Sequence, residues 1–558
     1  MNELRRWFAR GTPWIWLQAA AVSLSLVMVA GLVVLLATRG LSHFWPAPVE
    51  EWVVERVDGQ REVLVGQLRR SETVDADRLR EAGVPLPERV RQVTRHLLKT
   101  GNRDLTGEDF TWVLDREVIE RSRPTNILAL ERSQWGRFFG RLTGIREAGR
   151  LLTLPAEPWD ALAQRLERVR TLRDRIDELE RGAITSVNYR LDRLRLEERA
   201  LRRDLPPGTD PPAEALAELE TERAALEAEF AAHVAELEAL FAEIDRDALL
   251  LRTADGREVE VPMALVLDAW RPNAMNARQR LAQYGRALWA FLSEPPREAN
   301  TAGGIFPALF GTVLMVILMS VFVTPLGVVA AVYLREYARQ GWLTRLVRIA
   351  VNNLAGVPSI VYGVFGLGFF IYVVGGGIDR LFFEEALPTP TFGTGGLFWA
   401  SLTLALLTLP VVIVSTEEGL ARIPRAVREG SLALGATRWE TLWRTILPMA
   451  SPAIMTGVIL AVARAAGEVA PLMLVGVVKL APTLPLDGDF PYLHLDRKFM
   501  HLGYHIYDVG FQGSNVEAAR PLVYATALLL VAITLLLNLS AIAIRNRLRE
   551  RYRSLEAP

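Results

Sequence analysis

The chain has 558 residues, half of them hydrophobic, and its 64 lysines and arginines balance 64 aspartates and glutamates to a formal net charge of zero. A neutral average of this kind mixes membrane and soluble stretches, so the parts are read separately, and no nucleic-acid partner is expected. Cysteine is absent, which excludes a disulfide framework and a thiolate metal site. Lysine occurs only at Lys99, Lys479 and Lys498, none preceded by glycine, so the phosphate loop ending in Gly-Lys-Ser/Thr is missing and the chain is expected neither to hydrolyse ATP nor to carry a cofactor of its own.

Arg5, Arg6 and Arg10 precede an apolar run over 14–38. That run is long enough to cross a bilayer and longer than the roughly 7–15 residues of a signal-peptide core. It reads as an uncleaved signal-anchor whose arginines hold the N-terminus in the cytosol.

No stretch between 41 and about 300 is apolar enough to span, and this region is expected to be an extracytoplasmic insert. Residues 51–65 alternate around Asp58-Gly59, and 249–261 alternate around Asp255-Gly256; both are hairpin signals, predicting a small β unit. Between them Leu162, Leu166, Val169, Leu172, Ile176 and Leu179 recur at helical steps, and Leu216, Leu219, Leu226, Phe230, Val234, Leu237 and Phe241 do the same after Pro206-Pro207-Gly208. The break between two long stripes predicts a coiled-coil hairpin over about 160–247. It can serve as a self-packed stalk or as a partner-binding arm.

Apolar stretches over 304–334, 357–378, 394–414, 454–478 and 521–544 bring the predicted spans to six. Arg335, Arg339, Arg345 and Arg348 follow the second, Arg422, Arg425, Arg428, Arg438 and Arg444 the fourth, and Arg545 to Arg553 the sixth. Every even exit is basic, which puts both termini in the cytosol. The predicted domains are 1–40, 41–300 and 301–553, and the fold class is mostly α: a polytopic membrane protein with an α+β insert.

One cytosolic stretch, about 419–452, has the grammar of a folded knob. Leu432 and Leu434 supply apolar faces, Gly435 can take the left-handed conformation that ends a helix, and Pro448 is expected to stop the next one. Within the predicted spans the charged residues are Arg464 and Glu468, four apart and so expected on one face of the fifth helix. They either neutralise each other or line a path, and Gly467 and Pro471 between and beyond them allow a local break there. His494, His501 and His505 fall in an exterior loop; a third ligand is not evident, and no metal site is expected.

Glu429-Gly430-Ser431, then Gly435, then Leu447-Pro448 resemble the EAA loop of ABC importer permeases, departing at Gly430 and Ser431, where alanines are preferred, and at Thr445, where isoleucine is. With residues 351–363, which contain Asn353, and Arg464 to Leu472, which departs only at Val469, the pattern over 301–553 resembles the PstA family of phosphate-specific ABC importers. The long insert resembles an extension found in a longer variant of that family. The resemblance implies a type I permease core in a bacterial inner membrane. It implies a PstC-type second permease, a PstB-type ATPase dimer that holds ATP and magnesium, and a PstS-type phosphate-binding protein. It assigns Glu429, Gly430, Ser431, Gly435, Leu447 and Pro448 to ATPase coupling, and Arg464, Gly467, Glu468, Pro471 and Asn353 to a path or gate. Two alternatives remain open: import of another oxyanion such as sulfate or molybdate, and a membrane-anchored sensor or scaffold that uses the insert.

Overall fold

The computed structural model describes Trp7 and residues 11–56, 59–152, 158–206, 211–513 and 516–552. The chain divides into two units, Met1–Phe44 with Ile305–Asp487 and Leu493–Pro558, and Trp45–Gly304 with Gly488–Tyr492.

The second unit carries far more sheet than its sequence suggests. Strands β1 (Glu50–Glu55), β2 (Arg61–Asp75), β3 (Gln92–Lys99), β4 (Phe110–Leu114) and β5 (Val118–Ser122) form an antiparallel sheet in the order β4-β3-β2-β1-β5. A second sheet has the order β10-β9-β7-β6-β11, from β6 (Ile127–Arg132), β7 (Arg137–Glu147), β9 (Asp247–Arg252), β10 (Glu258–Pro262) and β11 (Val266–Trp270), with β8 (Arg150–Leu152) on β7. Both expected hairpins are present, closing at Glu55↔Arg61 and Arg252↔Glu258; Asp58 lies outside the described residues. The other strands escape a periodicity reading because arginines and glutamates occupy positions where a hydrophobic face is sought, and cross-strand pairs such as Arg137–Glu131 at 3.1 Å satisfy them.

Two long helical arms are inserted in the second sheet, between β8 and β9. The first runs through Pro158–Glu178, a π-helical turn at Leu179–Ile184, and Thr185–Arg203; the second is Ala213–Ile244. Arg168 pairs with Glu243, Arg175 with Glu236, Arg190 with Glu229 and Arg223 with Glu198. One index falls as the other rises, so the arms are antiparallel. The expected turn at Pro207-Gly208 lies outside the described residues. Near its base the apolar stripe is not spent on the other arm alone: Leu162, Leu166, Val169 and Ile176 bury against Leu128, Leu130, Phe138 and Leu249 of the second sheet.

Among the described residues of the first unit six helices are long and apolar enough to cross a membrane: spans 1 to 6 are Thr12–Phe44, Phe306–Tyr337, Ser359–Phe382, Leu397–Arg422, Arg438–Ala465 and Ala519–Glu550. Span 4 is the hub. Of its most apolar stretch 67% is buried, against 28% for span 2 and 6% for span 6, and it packs on spans 2 and 5. Helices in a bilayer gain little from excluding water between them, so they hold together by close approach of small residues. A Cβ on Gly327 of span 2 would come within 2.6 Å of Val412 Cγ1, and one on Gly457 of span 5 within 2.8 Å of Ser415 Cβ. Trp399 completes the hub, buried beside Phe370 and Phe398, with its indole donating to the Phe392 carbonyl at 2.7 Å.

The fifth span differs from expectation. It begins at Arg438 and ends at Ala465, whereas the sequence predicts 454–478, because the apolar run past Gly467 belongs to an irregular segment and a short helix, Leu472–Val475. Pro448 also does not end a helix. It sits near the start of Leu447–Ala465, which continues directly from a π-helical turn at Leu442–Ile446, and such a turn accommodates a residue without an N–H.

Gly327→Val should cost about 1–3 kcal/mol by overpacking, read as a lower thermal midpoint of the purified protein, whereas Gly368→Ala, where a Cβ meets nothing within 4 Å, should leave the midpoint unchanged or slightly raised. Equal effects at both positions would contradict close approach at span 4.

Candidate functional site

Between spans 4 and 5 the chain forms helix Arg425–Ala433, a turn, and the start of span 5. The turn is a Schellman motif: Ala436 N–H donates to Ser431 C=O at 3.3 Å and Gly435 N–H to Leu432 C=O at 3.0 Å, with Gly435 at φ +87°. Span 5 then opens with a capping box, Thr437 Oγ1 accepting from Glu440 N–H at 3.2 Å and Glu440 Oε2 from Thr437 N–H at 2.9 Å. Ser431 Oγ and Thr441 Oγ1 are 2.9 Å apart and tie the two helices together. The knob therefore holds its own shape.

It presents an apolar tip. Leu434 is 91% exposed, and Leu432, Trp439 and Trp443 are exposed as well, the two indoles stacked at 5.9 Å. Glu429 is exposed, and a Cβ on Gly430 would meet nothing within 4 Å, so an alanine would fit there. Leu447 and Pro448 lie further along span 5, partly buried.

Sequence reasoning passed over the residues that hold the knob and the span ends beside it. Arg428 donates to the carbonyls of Ile423 and Leu420 at 2.6 and 2.8 Å and to Glu336 at 2.9 Å. Arg348, on the amphipathic helix Trp342–Leu354, donates to Glu417 at 3.1 Å, to Leu334 C=O at 3.1 Å and to Gln340 at 2.9 Å. These partners are 69 to 92 residues away for the two glutamates, so only the placement of arginines just after apolar spans signalled them.

The second group of predicted residues converges in part. Arg464 is in the last turn of span 5, but Glu468 lies beyond its end, so the two do not share a helical face as expected. The chain turns instead: Gly467 N–H donates to Arg464 C=O at 3.3 Å and Glu468 N–H to Ala465 C=O at 3.2 Å, leaving Arg464 Nε 3.5 Å from Glu468 Oε1. Pro471 abuts span 3, where a Cβ on Gly363 would meet Pro471 Cα at 2.7 Å. Next to Gly363, Tyr362 donates to Leu354 C=O at 2.7 Å and lies within electrostatic reach of Arg464. Asn353 is exposed on the last turn of its helix; the carbonyl bonded by Tyr362 belongs to its neighbour.

The three histidines do not form a cluster. His494 bonds Asp487 at 2.8 Å. His501 caps helix Leu502–Tyr507, and burial holds both His501 and His505 at a pKa of about 4. Among the described residues no group of three or more possible ligands is placed to hold a metal ion.

With this geometry in hand, residues 323–554 match the family described as the binding-protein-dependent transport system inner membrane component. The phosphate transport system permease protein PstA of Mycobacterium leprae (strain TN) is 36% identical over 234 residues, 42% of this chain and 71% of that protein. PstA 1 of Mycobacterium tuberculosis (strain ATCC 25618 / H37Rv) is 36% identical over 215 residues, 38% of this chain and 64% of that protein. PstA of Yersinia pestis is 32% identical over 255 residues, 46% of this chain and 76% of that protein. The chain belongs to the PstA family of permeases. The family match leaves the insert outside it, so the likeness speaks for the first unit.

Arg464 and Glu468 are 33% and 21% exposed, and an ion pair that open holds little: Arg464→Gln should move stability by less than about 1 kcal/mol. A loss of several kcal/mol on thermal or denaturant unfolding would make the pair a structural clamp.

Proposed function

We propose that this chain is the permease subunit that carries inorganic phosphate through the inner membrane, working with a PstC-type permease, a PstB-type ATPase dimer and a PstS-type phosphate-binding protein. The observation that carries the reading is the Schellman-capped knob between spans 4 and 5, with Leu434 91% exposed at its tip, in a chain of the PstA family. Glu429, Gly430, Ser431 and Gly435 form the docking surface, and Leu447 and Pro448 begin the lever that follows. The basic exits after even spans support a cytosolic knob, cytosolic termini and a periplasmic insert. ATP and magnesium act on the partner ATPase; closure of that dimer presses the knob and reorients spans 4 and 5.

On this reading the anion passes the break after span 5. Arg464 offers a delocalised, always charged guanidinium suited to an oxyanion, and Glu468 at 3.5 Å keeps the site from holding it too tightly. Gly467 and Pro471 let the segment change conformation, while Asn353 stands at the end of the helix whose carbonyl meets Tyr362.

Two experiments test this. In the cysteine-free background, Leu434→Cys should cross-link to the co-expressed ATPase, and Gly435→Val, strained by about 1–2 kcal/mol at positive φ, should stay in the membrane yet lose phosphate-coupled ATP hydrolysis; normal coupling at normal expression refutes the docking assignment. Arg464→Gln/Glu468→Gln should assemble but lose phosphate uptake per assembled complex. Wild-type uptake would remove the pair from the path, and uptake of sulfate or molybdate in place of phosphate would transfer the assignment to another oxyanion.

A further inference from the structure

Span 4 ends in a defect that one side chain repairs. The carbonyl of Leu420 would take its helical hydrogen bond from residue 424, but that residue is Pro424, which has no N–H. Arg428 supplies the donor instead, Nη2 to Leu420 C=O at 2.8 Å, and with Nη1 it also bonds Ile423 C=O at 2.6 Å. The same Nη2 reaches Glu336 Oε1 at 2.9 Å, in the π-helical turn Tyr333–Tyr337 that closes span 2. One guanidinium thus joins the end of span 2, the end of span 4 and the helix of the knob.

Packing holds the base of the knob, where Val427, Leu442 and Ile446 join Val332 of span 2 and Leu420 and Ile423 at the end of span 4 in one apolar cluster, but it does not fill the place where Arg428 meets Glu336. A cavity of about 240 Å³ lies in the crook of the knob, lined by Glu336, Tyr337, Arg428, Leu432, Thr441 and Leu442, so the knob and the end of span 2 are not in close-packed contact there. Spans 2 and 4 are meanwhile tied to each other without the knob. Ala338 N–H bonds Tyr333 C=O, leaving Leu334 C=O free for Arg348, which also holds Glu417 of span 4. The two spans form a frame, and Arg428 is the polar link by which the knob is fastened to it.

We propose that Arg428 is a positioning residue for coupling: it fixes the angle of the knob to spans 2 and 4, so that a push on the knob moves both spans together rather than swinging the knob into its cavity. This rests on the reading of the knob as the ATPase docking site. Lysine could not replace it, because one ammonium on a flexible stem does not meet two carbonyls and a carboxylate in fixed directions.

The test uses the assembled transporter in proteoliposomes with its ATPase and phosphate-binding protein. Arg428→Gln removes the charge and most of the donors, and should lower phosphate-coupled ATP hydrolysis per assembled complex about tenfold or more, while Leu434→Cys still cross-links to the ATPase. Nitroxides at Ala433→Cys and Val329→Cys should show a narrow distance distribution in the parent and a broad one in the variant. Arg428→Lys should not restore coupling. The exchange Arg428→Glu/Glu336→Arg should not either, since a carboxylate cannot donate to the carbonyls of Leu420 and Ile423. Coupled hydrolysis within about twofold of the parent, an unbroadened distribution, or rescue by the exchange overturns the proposal. Absence of the Leu434→Cys cross-link in the otherwise unaltered protein overturns the docking reading instead.

Discussion

Inside a bilayer an apolar side chain gains nothing by leaving lipid for another helix, so the core of this permease depends on how closely span 4 can be approached. Its neighbours meet it through residues without bulk: Gly327 of span 2 lies against Val412, Gly457 of span 5 against Ser415, and Gly419 of span 4 itself against Ala453. Span 1 joins by the same device, Gly40 lying against the backbone of Ala525 in span 6. With neighbouring atoms lying this close to each glycine, span 4 has little freedom to slide against spans 2 and 5.

The C-terminal end of span 4 is where the sequence spends its polar side chains. Span 4 stops before Pro424 and span 2 tightens into a π-helical turn at Tyr333–Tyr337, and each leaves a main-chain carbonyl without its helical donor. Unsatisfied carbonyls near a membrane are costly, and Arg428 and Arg348 fill them while also pairing with Glu336 and Glu417. The same arginines that orient a membrane protein by the positive-inside rule here finish its helices. Only three of the chain's 64 basic residues are lysines, in keeping with a side chain asked to bond several acceptors at once.

How much of this was legible follows from the range of the interaction involved. The spans are local facts, written in runs of about 20 apolar residues, and so is the knob, because Gly435 and the Thr437–Glu440 box act within a few residues. The hairpins of β1 with β2 and β9 with β10 were readable from turns and alternation. The pairs Arg428–Glu336 and Arg348–Glu417 were not, since each joins different elements, and the strands over 92–147 were hidden because their charged residues find partners only across the sheet. At the end of span 5 local reading misleads: apolar residues continue past Gly467, so the run reads as helical, although the glycine and Pro471 carry the true signal.

That break is the most informative departure in the core. Backbone that is not helical is tolerated at membrane depth only where protein or water satisfies it, and here protein does. Val475 C=O accepts from Gly396 N–H at 3.1 Å, and Val478 N–H donates to Phe499 C=O at 3.0 Å. Gly363 and Gly366 of span 3 make room for Pro471 and Val475, and Gly395 gives way to the Val475 carbonyl. The glycines of span 3 and of the approach to span 4 are thus the mould of the broken segment, and the Arg464–Glu468 pair stands at its mouth. A helix carried intact to residue 478 would have kept Glu468 on the same face as Arg464. The interruption instead sets the acid after a turn in the chain, beyond the last residue of span 5.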